Sequence, residues 1–100
     1  MKSPLIKVIV KSYGILNEVL DSAGYFIKEG STVLELIHMI NSGLEGDKFL
    51  YAVLDETGKK LQPCTHFFLN DKNISTMDSL DTKLKNSDEI FILRADIIGG

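Results

Sequence analysis

The residues best suited to chemistry stand at the end of the chain, where Asp96-Ile97-Ile98-Gly99-Gly100 follows the apolar run Ile90-Phe91-Ile92-Leu93. Gly99 and Gly100 lack Cβ atoms, so the backbone there approaches another surface closely and adopts dihedrals closed to other residues. A carboxylate on Gly100 is therefore unusually approachable, and Gly100 is the residue expected to react. Extended, residues 95–100 reach roughly 20 Å at about 3.3 Å each, enough to thread a buried site on a partner. A glycine pair at a terminus also occurs as a frayed end without purpose. The reading adopted is that the globular part presents this carboxylate to other proteins.

Elsewhere the chemistry is thin. Cys64 and His66 are two apart on one strand face, a weak cue for a Cys-His nucleophile, and Cys64 reads as a packed or surface thiol. His38 falls on the flank of a helix. Neither C-x-x-C nor H-E-x-x-H spacing occurs, so no metal site is expected. No Gly-rich phosphate loop is present either, so no cofactor is expected to bind this chain. The acidic residues are spread along the sequence and read as solvated faces.

One hundred residues make one domain, large enough for a single core but too small for a core and a deep cleft. Hydrophobic residues are 44% and charged residues 25%, as in ordinary soluble globular chains. The net charge of −3, with Lys59-Lys60 the only adjacent basic pair, argues against nucleic acid as a partner. Apolar runs are too short for a membrane span. Met1-Lys2-Ser3-Pro4-Leu5 lacks the apolar region of a signal peptide, which makes the cytoplasm the expected location. The single cysteine forms no internal disulfide, in keeping with a reducing compartment.

The elements that would position the end follow from periodicity. Residues 5–11 alternate, with Ile6, Val8 and Val10 on one face and Lys7, Ile9 and Lys11 on the other, which predicts a half-buried strand. Ser12-Tyr13-Gly14 is expected to break it. Ile15, Leu16, Val19 and Leu20 recur at helical spacing, with Gly24 as the stop. Residues 25–28 form a second strand. Thr32-Val33-Leu34-Glu35 is a T-x-x-E capping box, Val33, Leu36, Ile37 and Ile40 supply an apolar stripe, and Gly43 ends this main helix. Phe49, Leu50, Val53 and Leu54 suggest a further short helix. Residues 65–70 read as a strand with Phe67 and Leu69 on one side and His66 and Phe68 on the other. Asn70-Asp71-Lys72-Asn73 is a turn, Ile74 begins a short return strand, and Leu80 and Leu84 plug the core from a helical turn. Asn86-Ser87-Asp88 turns into the last strand. A single long helix among strands gives an α+β roll, with the first and last strands central and parallel.

With that order established, the residues carry a resemblance. The first strand, Glu29-Gly30-Ser31-Thr32-Val33, Phe67-Phe68-Leu69-Asn70, Leu80-Asp81-Thr82-Lys83-Leu84, Asp88-Glu89-Ile90 and Gly99-Gly100 occur in the order of the ubiquitin-like sulfur carriers of the MoaD/ThiS type. That group includes the small subunit of molybdopterin synthase and the small archaeal modifier proteins. The resemblance covers nearly the whole chain. It implies a β-grasp (ubiquitin-like) roll, a mixed sheet of four to five strands packed on one main helix. Residues 1–94 would form the domain and residues 95–100 a flexible tail. Two departures stand out: Arg94 and Ile98 replace the usual proline and small residue of the tail, and Asn70-Asp71 replaces the usual Asn-Gly turn.

The family also implies a mechanism. An E1-like enzyme spends ATP to adenylate the terminal carboxylate, and a sulfur nucleophile converts the adenylate into a thiocarboxylate, with molybdopterin-type biosynthesis the leading use. Attack by a lysine amine instead gives an isopeptide bond, the protein-modifier alternative. The chain itself would be a carrier and no enzyme. Its partners would be the E1-like enzyme, a molybdopterin synthase large subunit or the lysines of targets. Gly99, Ile98 and Arg94 would be gripped as the tail. Ile9, Phe68, Phe91 and Leu93 fall on the sheet face opposite the core and would form an apolar partner interface, unless residues 44–63 cover them. A pure interaction domain with an incidental tail is the third reading.

Overall fold

The computed structural model describes residues 4–14 and 23–94. Five strands form one sheet: β1 (Leu5–Gly14), β2 (Ala23–Lys28), β3 (Thr65–Leu69), β4 (Lys72–Asn73) and β5 (Glu89–Arg94). Their order is β2-β1-β5-β3-β4, so the last strand takes the centre. β1 and β5 run parallel, and every other pair is antiparallel. The helix α1 (Val33–Ser42) and the shorter α2 (Lys48–Val53) lie in the long crossover between them, the connection a parallel pair requires. This is the β-grasp arrangement.

One side of the sheet is apolar because alternation puts Ile6, Val8, Val10, Ile27, Phe67, Leu69, Ile90 and Ile92 there, all buried. The stripe of α1, Val33, Leu36, Ile37 and Ile40, closes over it, with each residue at most 2% exposed. A fully buried aliphatic side chain contributes about 1.5–3 kcal/mol, so this stripe dominates what holds the helix down. Its start is the capping box: Glu35 N donates to Thr32 Oγ1 at 3.2 Å while Thr32 N donates to Glu35 Oε1 at 3.1 Å. Gly43 is the C-cap, at φ −89°, and its N–H donates to Ile40 O. Phe49, Val53 and Leu54 bury the α2 segment in the same core, and Ile74, Leu80 and Leu84 close the bottom.

The sequence expectations are corrected at three places. β1 does not stop at Lys11: Ser12, Tyr13 and Gly14 pair with Ile92, Leu93 and Arg94 of β5. The long-range ladder overrides the local break signal. Gly24, expected to stop a helix, pairs with Ile9 inside β2. A Cβ at Gly24 would stand 2.9 Å from Lys7 Cε and 3.4 Å from Ile9 Cδ1, so a glycine lets those side chains lie across the strand. The helix expected over residues 15–20 lies outside the described residues. Ile74 begins a 3-10 turn (Ile74–Thr76) instead of a strand. Asn70 and Asp71, at φ 49° and 72°, already reverse the chain in two residues, so the return strand is Lys72–Asn73. Asn73 Oδ1 then accepts from Ser75 N at 2.9 Å and bends the chain away.

Candidate functional site

Among the described residues no helix lies over the second face of the sheet. Ile9 comes from β1, Phe91 and Leu93 from β5, and Phe68 from β3; all four are half-buried and on this face. Phe68 and Phe91 are direct cross-strand partners. Their ring centroids are 6.3 Å apart at 80°, the edge-to-face geometry aromatic quadrupoles favour. Beside them a depression of about 290 Å³ opens between Lys11, Phe68, Asn70, Glu89 and Phe91. The apolar residues of the 44–63 segment pack elsewhere: Phe49, Val53 and Leu54 are in the core on the helix side, and Leu44, Leu50 and Leu61 rest against it.

The face extends further than sequence reasoning carried it. Leu5 and Phe26 are 63% and 61% exposed. Leu5 pairs with Lys28, and Phe26 with Lys7, across the β1–β2 ladder. The signal was available: the alternation that points Ile6 and Ile27 inward points Leu5 and Phe26 outward. Lys11 Nζ lies 3.6 Å from Glu89 Oε1, with the two side chains 50% and 61% exposed. Such exposed pairs contribute little to stability.

One corner of this face is held by a polar lock. Asn70 Nδ2 donates to Asp88 Oδ1 at 2.9 Å, and Asn70 Oδ1 accepts from Glu89 N at 2.9 Å. Lys85 N donates to the other Asp88 oxygen at 2.7 Å. Asp88 is 8% exposed, and these donors satisfy a buried carboxylate. The β3–β4 turn and the start of β5 are thereby fixed to each other.

Phe91 and Leu93 point to the open face, and Arg94 points the other way. Grouped with the tail on sequence, Arg94 is the last residue of β5 and pairs with Thr65. Its Nη1 donates to Ala52 O at 3.0 Å, and Thr65 Oγ1 donates to the same carbonyl at 3.3 Å. Arg94 Nε is buried with no hydrogen-bond partner among the described residues. The guanidinium therefore ties the end of β5 to α2, a contact between residues 42 apart in sequence that no local pattern announces. Ile98, Gly99 and Gly100 lie outside the described residues.

Cys64 is half-buried and His66 exposed. Among the described residues no three His, Cys, Asp or Glu side chains stand close enough to hold a metal ion, and no helix is long and apolar enough to cross a membrane.

Neither a family model nor a curated protein matches this sequence. Solved structures do match the fold. Small archaeal modifier protein 1 from Methanosarcina acetivorans is 25% identical with a TM-score of 0.70, over 98% of this chain and 100% of that one. A chain of the BexX/CysO complex of Amycolatopsis orientalis is 28% identical with a TM-score of 0.72, over 93% of this chain and 99% of that one. Urm1 from Trypanosoma brucei, 15% identical, has a TM-score of 0.76 over 99% of this chain and 100% of that one.

Proposed function

We propose that this chain, a β-grasp protein of the ubiquitin-like sulfur carrier and modifier family, carries its reactive group as the carboxylate of Gly100. The observation that supports this most is the course of β5. It crosses the middle of the sheet, offers Phe91 and Leu93 to the open face, and leads straight into the six residues that end at Gly100. A partner seated on that face would have the tail within reach, since residues 95–100 span roughly 20 Å when extended.

A carboxylate is a poor electrophile. In the proposed reaction a Gly100 oxygen attacks the α-phosphate of ATP on an E1-like enzyme. Pyrophosphate leaves and a mixed anhydride forms. Hydrosulfide then adds to the Gly100 carbonyl carbon, AMP departs with the former carboxylate oxygen, and loss of the sulfur-bound proton leaves the thiocarboxylate. Splitting one hard step into two easier ones is the gain. The nucleotide belongs to the enzyme, and this chain supplies the docking face and the tail. Molybdopterin-type synthesis is the proposed use of the sulfur.

A second reading replaces sulfur with a lysine amine, which yields an isopeptide bond at Gly100. The likeness to an archaeal modifier protein at 25% identity over nearly the whole chain favours keeping it. Intact mass spectrometry after incubation with ATP, a sulfide source and the host's E1-like enzyme tests the first reading. A gain matching one oxygen replaced by sulfur, located at Gly100, is expected. An unchanged mass, with that enzyme active on another substrate, would refute it; Gly100 found linked to lysines in cell extract would establish the second.

A further inference from the structure

The open face is not evenly charged. Lys7, Lys11 and Lys28 are exposed on it, and Glu89 is the carboxylate its strands contribute. That carboxylate is already engaged by Lys11 at 3.6 Å. Among the described residues no carboxylate lies within ion-pair distance of Lys7 or Lys28. The chain as a whole carries −3; Asp71 lines the depression beside Glu89 on the β3–β5 side, so the β1–β2 half is the cationic part of this face. Its geometry is also specific. Lys7 Cε would meet a Cβ on Gly24 at 2.9 Å, and Lys7 Nζ lies 3.9 Å from that position. The lysine stem thus lies across β2, over Gly24. Leu5 and Phe26, both more than half exposed, stand between Lys7 and Lys28 in the ladder.

We propose that this β1–β2 half of the face docks on an acidic surface of the activating enzyme, with Leu5 and Phe26 as the apolar contacts and Lys7 and Lys28 as the charge readers. The proposal rests on the carrier reading above and names the chemistry of the partner surface. A second copy joined through the same face is disfavoured, because two sets of ammonium groups would oppose each other. Exposed lysines facing an acidic surface chiefly accelerate encounter, and salt weakens that effect. Buried apolar contacts lose little to salt, so the two kinds of contact separate in one experiment.

The test is ATP-dependent pyrophosphate release by the host's E1-like enzyme acting on the full chain, at low and high salt. Lys7→Glu with Lys28→Glu should raise KM by about tenfold at low salt with kcat within about twofold, and the defect should shrink at high salt. Leu5→Ser with Phe26→Ser should raise KM at both salt levels. Lys59→Glu with Lys60→Glu, in the loop before β3, should leave KM unchanged. A wild-type chain that turns over, with the Lys7/Lys28 variant equal to it at low salt, overturns the acidic-dock proposal and spares the carrier reading. No turnover of wild type by an enzyme active on another substrate removes both. A dimer in sedimentation that the Lys7/Lys28 variant splits, with KM unmoved, overturns the proposal in favour of a second copy.

Discussion

Asn70 sits at φ 49°, donates to Asp88 and accepts from Glu89 N through one amide side chain. Alanine there removes both bonds, leaves Asp88 Oδ1 without its donor, and gives up the tolerance of asparagine for left-handed backbone. Asn70→Ala should cost about 2–3 kcal/mol, read by urea denaturation. Asp55 is a gentler case. Its carboxyl is held below the ordinary carboxylate value first by the Thr57 side-chain hydrogen bond, which outweighs the opposing effect of desolvation, and further by the amides of Thr57, Gly58 and Lys60. A depressed carboxyl favours the folded state above the unfolded value and loses that contribution as pH falls through the folded value. Thr57→Val, which also removes the hydrogen bond from Lys59 N to Thr57 Oγ1, should therefore move the Asp55 midpoint upward in a carboxyl-carbon NMR titration. At this scale legibility tracked sequence distance. The Thr32–Glu35 box was readable because its partners are three residues apart; the Arg94–Ala52 bond was not, because nothing near Arg94 requires it.

The main helix depends on its stripe and its cap in different amounts. Leu36 has no exposure, and Leu36→Ala leaves a cavity costing roughly 2–5 kcal/mol. Thr32→Ala removes one cap at about 1 kcal/mol. A thermal or chemical melt of the two variants should rank them in that order. Period-two and period-3.6 patterns revealed which faces of the elements are apolar, and the capping box located the start of α1. Strand lengths were less legible. Ser12 to Gly14 belong to β1 only because β5 lies beside them, and Gly24 belongs to β2 only because Lys7 and Ile9 lie across it. Both are consequences of packing between distant segments. Alternation assigns Ile9, Phe68, Phe91 and Leu93, expected to form a partner interface, to one face of the sheet; the structure puts all four side chains on that face, with Leu5 and Phe26 beside them.

For the molecule as a whole, the domain and the proposed reactive end should be separable. Removing residues 99–100 should abolish the ATP-dependent mass gain while shifting Tm by less than about 2 °C, because glycines have no side chain to bury in a core. A melt lowered much beyond that would mean that the tail supports the fold. The α+β roll was legible because most local patterns agreed with it, even where the break signals at Ser12–Gly14 and Gly24 did not, and the resemblance supplied the β-grasp class. The order of strands added what no window of sequence contains, the parallel contact between residues about eighty positions apart.

That contact makes the last strand the keystone. Without β5 the sheet falls into two hairpins, β2-β1 and β3-β4, and an isolated hairpin is marginal in water. An interrupted translation product that lacked residues 89–94 would expose its apolar face and be cleared by proteases. Such a product would also lack Gly100. A chain that ends before β5 lacks both the strand that joins the two hairpins and the residue proposed to react, so the strand that completes the sheet is also the one that leads to the tail.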